Sequence, residues 1–487
     1  MNVPIARLYT FLLILFAILV YFTSKWAVFD AESLEDKVQN RRPLIEEQQV
    51  PRGTITTSDG VLVAESHPQG GGPRPVYVRT YPEDDPTVFG NPIGYSFVEQ
   101  GRTGIEQSEN DILAGEQNEF ASILDQIRDV PQEGGDLTIT LDAQAQRLAV
   151  QQLQSAIAST AGAAGFGGSV VAIEPDTGAV RVAASVPGFD PNQIADATSV
   201  ADIKGLFFRA TQGTYQPGST MKVVTAAAAL DSGEFTPDSM LSGRTGIEIG
   251  GVRLENAGGE TFGEIDFDFA LTHSVNTYFA QVGEQLGTET MFEYMDRFGF
   301  NAIPELDFPS DQMDESGVYD SDGSLLDESD AIDIGRVAIG QERLLVTPLQ
   351  MAEVVAAIGN DGTLMQPTFL QEAKDPDGRT IEKLDPDEQS DVVSEETASQ
   401  LTEMMTHVTE EGTAAGLTVG GIAFAGKTGT AEIDVEAGLN RPWFIGFAPA
   451  ADPQIAVAVM LERCQGCFGG EVAGPIATQV MESLLSG

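Results

Sequence analysis

The sequence predicts an α+β fold: an antiparallel sheet flanked by helices, preceded by a small N-terminal domain and one apolar N-terminal helix. Apolar strand candidates cluster at two distant places, residues 169–186 and 423–461, and helical stretches lie between them. The order strands, helices, strands, helix fits a sheet covered by helices better than a regular βα alternation. At 487 residues the chain has room for two or three domains and at least one large core.

Taken in order, the first element is the uncharged run from Leu8 to Ser24, between Arg7 and Lys25. It is at the short end of what can span a bilayer as a helix, a structure that satisfies its own backbone in lipid. Ala27 to Asp30 offers no small-x-small cleavage site, so the segment reads as an uncleaved anchor. Arg7 precedes it and no second run of that length follows, which places the rest of the chain outside the cytoplasm. The expected localisation is the cell membrane, single-pass.

Asp30 to Asn40 reads as a polar stalk. Arg52 to Ile55 followed by Ser58-Asp59-Gly60 reads as a strand ending in a hairpin turn. Ser66 to Pro75, rich in Gly and Pro, reads as a loop, because Pro removes donors and Gly raises the entropic cost of order. Leu137 to Leu141 alternates as a strand, and Asp142 opens a helix through Gln154. The expected division is 1–29 start and anchor, 30–155 small pedestal domain, 156–487 main domain.

In the main domain, Ser169 to Glu174 and Val180 to Val186 are strand candidates joined by the turn Pro175-Asp176-Thr177-Gly178. Helices are expected at Ser219 to Leu230, Pro348 to Gly359 and Ser394 to Val408. Glu395 and Glu396 in the first turn of the last one suit its dipole. Strands at Ala423 to Lys427, Trp443 to Ala448 and Ile455 to Leu461, then a helix from Val472 to Leu485, close the chain.

Lys plus Arg number 26 against 74 Asp plus Glu, a formal net charge of −48. Such a chain repels nucleic acid, so no nucleic-acid partner is expected. The two cysteines, Cys464 and Cys467, give no disulfide framework. A small-loop disulfide is the preferred reading of the pair, with two free thiols or a partial metal site as alternatives. His67, His273 and His407 stand alone in sequence, so no metal site and no cofactor is expected. His273 reads as a structural histidine beside the cleft. The acidic stretch Asp311 to Asp333 contains Asp320-Ser321-Asp322-Gly323, but with Gly323 at the sixth position Val318 and Ser329 would be the first and twelfth ligands. The EF-hand pattern fails and a solvated loop is expected.

The sharpest chemical signal is Pro217-Gly218-Ser219-Thr220-Met221-Lys222. A serine hydroxyl needs a nearby base, and a lysine serves if burial or neighbouring charge lowers its pKa. At a helix start, Ser219 and Lys222 share a face, and the free amides there suit an oxyanion. Ser274-Val275-Asn276 and Lys427-Thr428-Gly429-Thr430 follow in order. Ser274 can relay a proton between a leaving amine and Lys222, Asn276 can hold a substrate amide, and Lys427 raises the local positive potential. The hydroxyls of Thr428 and Thr430 can receive a carboxylate. Gly429 permits close backbone approach, so a bound peptide could pair with the strand edge.

These three elements match the signature of penicillin-binding proteins and class A β-lactamases, with Val275 where that signature has Asp. With the anchor, Arg52-Gly53, Asp59-Gly60, Gly101 to Glu106, Pro187 to Asn192 and Thr347 to Gln350, nearly the whole chain resembles a class B penicillin-binding protein, most like the actinobacterial PbpA group. The resemblance implies a penicillin-binding, serine β-lactamase-like transpeptidase domain acting as a D,D-transpeptidase in cell division or cell-wall growth. It implies acylation of Ser219 by the penultimate D-Ala of a peptidoglycan stem peptide, transfer to a neighbouring stem, and inhibition by β-lactam antibiotics. It further implies an oxyanion hole from the N–H groups of Ser219 and Thr430, and a SEDS-type glycosyltransferase and division proteins as membrane partners. The segment Gly340-Gln341-Glu342 departs from the family by carrying an acid where another Gly is usual.

Competing readings share these residues. A D,D-carboxypeptidase or a β-lactamase would use the same nucleophile, but a secreted β-lactamase needs neither stalk nor pedestal. A β-lactam-sensing receptor would need a cytoplasmic output domain. An inactive division scaffold would not need Ser219, Lys222 and Lys427 together.

Overall fold

The computed structural model describes residues 3–25, 48–70, 75–115, 133–197, 199–326 and 332–486. The stalk read at Asp30 to Asn40 lies outside the described residues. Helix α1, Val3–Ser24, has 22 residues, and Leu8, Phe11, Leu12, Phe16 and Tyr21 are all exposed on it. Among the described residues no helix is long and apolar enough to cross a membrane.

The pedestal begins with β1 (Ile55–Thr56), β2 (Leu62–Gln69), β3 (Val76–Thr80) and β4 (Asp136–Ile139). β1 and β2 form the expected hairpin. Its turn is closed by Thr57 Oγ1 donating to Asp59 Oδ1 at 2.6 Å, with Gly60 at φ 81°. The loop expected from Ser66 to Pro75 is corrected in its first half: Ser66 to Gln69 continue β2 against β3, with Pro68 opposite Tyr77. β1 pairs with β2 only at Leu62 and Ala64. Beyond that point one side of β2 has no partner strand among the described residues, and a proline there costs no ladder bond.

Helix α2 (Ala143–Ser159) is capped by Asp142, whose carboxylate accepts from Ala145 N at 2.8 Å. Then come β5 (Gly168–Ile173), β6 (Val180–Val186), a 3₁₀ turn at Gly218–Met221, and α3 (Lys222–Asp231). Helices α4 (Phe267–Thr272), α5 (Asn276–Arg297) and α6 (Pro348–Gly359) follow. Thr347 caps α6 with Pro348 in its first turn. Strands β7 (Leu370–Lys374) and β8 (Thr380–Lys383) precede α7 (Glu395–Glu410), which Ser394 caps. The chain ends with β9 (Ala425–Asp434), β10 (Leu439–Ala448), β11 (Ile455–Leu461) and α8 (Gly469–Leu485).

The main sheet has the order β9-β10-β11-β5-β6, each neighbouring pair antiparallel. Every residue of β5 and β11 is buried, which requires cover on both faces. α2 and α8 pack against each other and the sheet, and α6 packs against β10, β11 and β5. Each Val, Ile or Leu enclosed there contributes ~1.5–3 kcal/mol. β9 is an edge strand, and this edge carries Lys427 to Thr430.

The second sheet, β8-β7-β4-β1-β2-β3, joins distant parts of the chain. β7 pairs antiparallel with β4, so residues 370–383 complete the pedestal sheet from within the range read as the main domain. Sequence patterning cannot show this, because a strand's partner is chosen by tertiary packing.

Within the acidic stretch, Asp320 to Ser324 form a turn closed by Asp320 Oδ1, which accepts from Asp322 N and Ser324 N. Among the described residues no group of His, Cys, Asp and Glu could hold a metal ion.

Candidate active site

Ser219 is half-buried in the 3₁₀ turn that enters α3. Residues i and i+3 of a 3₁₀ turn eclipse, which aligns Ser219 with Lys222. The turn is held from three sides. Trp443 Nε1 donates to Gln216 O at 3.0 Å, Gly218 N donates to Gly340 O at 3.0 Å, and Thr220 Oγ1 donates to Pro217 O at 2.9 Å. A Cβ at Gly340, whose φ is +74°, would lie 1.9 Å from Gly218 O, so only glycine fits. Glu342, the acid in the family's glycine position, takes the left-handed conformation itself, at φ 63°. Gln216 Nε2 donates to its carbonyl at 2.8 Å.

Lys222 is fully buried. Its Nζ donates to Ser274 O at 2.7 Å and Asn276 Oδ1 at 2.7 Å, and lies 3.2 Å from Ser274 Oγ. Burial first, and the neighbouring Lys427 second, push its pKa well below the ordinary lysine value. The Phe279 ring, 5.8 Å away, favours the cation by only ~1 kcal/mol, under one pKa unit, and does not reverse this. A neutral amine has two N–H bonds. Both are committed to the two carbonyl-type acceptors, and the lone pair remains for a proton.

Lys427, also fully buried, donates to Ser274 Oγ at 2.9 Å and Thr428 O at 3.0 Å. Burial pushes its pKa down to about 7. Ser274 Oγ therefore sits between two amines. To reach them Ser274 adopts φ 56°, a conformation costing a non-glycine residue ~1–3 kcal/mol.

Asn276 opens α5, and its Nδ2 donates to Glu255 O at 3.3 Å. Thr428 Oγ1 is hydrogen-bonded to Thr413 Oγ1 at 2.6 Å, and Thr430 Oγ1 accepts from Gly469 N at 3.2 Å. Ser219, Ser274, Asn276, Thr413, Thr428 and Thr430 line one cleft of about 960 Å³. A Cβ at Gly429 would lie 2.8 Å from both Pro217 O and Thr220 Cγ2, so this glycine also makes room for the Ser219 turn. His273 lines the cleft with its ring 4.1 Å from that of Phe269.

Sequence reasoning missed Thr413, Gly469 and the backbone of Glu255. Each acts through a contact between segments far apart in the chain, and no local spacing announces it. Cys464 and Cys467 form a disulfide, so their thiol and metal alternatives are set aside.

A serine on a tight turn, a depressed lysine one turn on, a second Ser–Lys pair and an edge strand with two threonines define a serine acyl-transfer enzyme on a helix-flanked antiparallel sheet. Two family profiles match the chain: "Penicillin binding protein transpeptidase domain" over residues 168–482 and "Penicillin binding protein A dimerisation domain" over residues 52–137. The chain belongs to the penicillin-binding protein transpeptidase family. Along its whole length it is 32% identical to the peptidoglycan D,D-transpeptidase PbpA of Mycolicibacterium smegmatis, 99% of which is covered. It is 31% identical to the stage V sporulation protein D of Bacillus subtilis over 88% of this chain and 65% of that one. A ceftriaxone acyl-enzyme complex of penicillin-binding protein A from M. tuberculosis superposes with a TM-score of 0.77 at 30% identity, covering 91% of this chain and all of that one.

Proposed function

We propose that this protein is a peptidoglycan D,D-transpeptidase and β-lactam target that works through an acyl-enzyme on Ser219. The observation that carries the assignment of residues is the convergence of Lys222 Nζ and Lys427 Nζ on Ser274 Oγ, in the cleft that Ser219 lines.

The lone pair of Lys222 takes the Ser219 proton as Oγ attacks the carbonyl carbon of the penultimate D-Ala. The N–H groups of Ser219 and Thr430 receive the oxyanion. When the C–N bond breaks, the proton passes from Lys222 through Ser274 to the departing D-Ala amine, and Lys427 replenishes the Ser274 hydrogen bond. The amine of a neighbouring stem then attacks the ester, loses its proton by the same relay, and releases Ser219. Thr428 and Thr430 hold the terminal carboxylate of the donor, and Asn276 orients its amide.

The apolar, outward-facing side chains of α1 and Arg7 before them support a single-pass membrane anchor with the catalytic domain outside the cytoplasm. A SEDS-type glycosyltransferase and division proteins are the membrane partners of this reading, and division or wall growth its setting. Intact-protein mass spectrometry of the full-length protein with benzylpenicillin tests the assignment. A long-lived adduct that disappears in Ser219→Ala supports it, whereas drug hydrolysis with rapid loss of adduct would make the protein a β-lactamase, and absence of any adduct a scaffold.

A further inference from the structure

We propose that the Cys464–Cys467 disulfide is a clasp that positions the Thr430 hydroxyl for carboxylate recognition, a role that rests on the acyl-enzyme reading above. The bridge closes the return from β11 to α8. Cys464 is fully buried and Cys467 nearly so. The bridged segment is stitched to the hairpin that carries the threonines. Cys464 pairs with Asn440 and Gln465 with Leu439 on β10. Gly466 N donates to Gly438 O at 2.8 Å, and Asn440 Nδ2 donates to Cys467 O at 3.0 Å.

Two residues beyond the bridge, Gly469 N donates to Thr430 Oγ1 at 3.2 Å. This contact is possible only at close range: a Cβ on Gly469 would lie 2.1 Å from Trp443 O and 2.4 Å from Gly429 O. Phe468, between bridge and contact, lines the cleft with half its surface exposed, so its side chain does little to hold the segment. Gly466, at φ 64°, gives the bridged turn ahead of α8 little stiffness of its own. The covalent bridge supplies it.

The consequence for chemistry follows from the hydroxyl inventory. A threonine has one O–H donor and two lone pairs. With one lone pair taken by Gly469 N–H, the Thr430 proton is left to donate into the cleft, where a carboxylate makes it a charge-assisted hydrogen bond. Without the clasp the Gly469 amide drifts from Thr430, and the hydroxyl is no longer oriented as a donor to the ligand.

The test compares wild type with the double variant Cys464→Ser, Cys467→Ser, both full-length, using the second-order rate of Ser219 acylation by benzylpenicillin and by its methyl ester, which lacks the carboxylate. The clasp predicts a fall of about ten-fold with benzylpenicillin, in the affinity component rather than the maximal rate, and an unchanged rate with the ester. Unchanged rates with both compounds, or an equal fall with both, overturn it. Should the double variant not fold, the same two rates are measured on wild type before and after reduction of the bridge to two thiols by a phosphine, with the same criteria. If wild type forms no adduct with either compound, the acyl-enzyme reading falls and takes the clasp with it. Normal acylation of wild type that is indifferent to the clasp removes the clasp alone.

Discussion

Lys427 Nζ lies 2.9 Å from Ser274 Oγ, although 153 positions separate the two residues in sequence. Neither Lys427 nor Lys222 has a carboxylate partner among the described residues, so the two buried amines repel one another when both are charged. The charge of Lys427 adds to burial in holding Lys222 neutral.

That coupling predicts a shift in pH dependence. Lys427 lowers the Lys222 pKa, so removing its charge in Lys427→Met must raise it. The rising acidic limb of the acylation rate, which reports formation of neutral Lys222, is expected to move to higher pH in the variant, beneath a lower plateau. Stopped-flow acylation across pH 5–10 measures the midpoint. A midpoint that stays put or moves down would show that Lys427 does not act on Lys222 electrostatically.

Removing the base itself should be more severe. Lys222→Ala leaves Ser219 in place without a proton acceptor, and the acylation rate should fall by ~10²–10⁴-fold. The adduct that does form should persist, because deacylation needs the same relay. A variant acylated at the wild-type rate would move the role of base to another group.

Glu353 on α6 is almost fully buried, and burial, with Glu305 nearby, pushes its carboxyl up to about 8. A raised folded pKa means stability that is complete below the unfolded value near 4.5 and is lost as pH rises toward 8. Glu353→Gln removes this loss. The variant should melt a few degrees higher than wild type at pH 8 and at the same temperature near pH 4.5, which calorimetry can check; equal melting at pH 8 would mean the carboxyl finds compensation when ionised.

In the pedestal, Glu106 is fully buried between Arg52, which donates from Nη2 to Oε2 at 3.0 Å, and Arg79, which donates from Nε to Oε1. The two guanidinium groups hold its carboxyl below the usual range against the opposing cost of burial. Glu106→Ala leaves two buried cations without their shared anion and should cost ~3–5 kcal/mol. A lowered denaturant midpoint of the pedestal, with Ser219 acylation retained below it, is the expected result.

The residues Arg52 and Glu106 show how far the sequence can be read. Both fall in segments that carry the family resemblance, yet the reason for them, a buried charge cluster joining a strand entry to a short helix, is visible only when the segments are packed. The cap residues Asp142, Thr347 and Ser394, the turn after Ile173, and the order Ser219, Lys222, Ser274, Asn276, Lys427 are different in kind. They depend on contacts within a few residues, or on residue type and order, and these are properties of the chain before it folds.

What the sequence by itself determined was therefore the α+β class, most element positions, and the chemical identity of the nucleophile and its candidate bases. Tertiary structure decided the rest: that Lys222 is hydrogen-bonded to Ser274 and Asn276, that Gly429 serves the Ser219 turn, that β7 and β8 complete the pedestal sheet, and that Thr413 and Gly469 hold the two threonine hydroxyls. A hydrogen bond or a strand pairing between distant residues depends on where packing brings their backbones. Burial, which depresses both lysines, is likewise set by the surrounding chain and not by the motif that contains them.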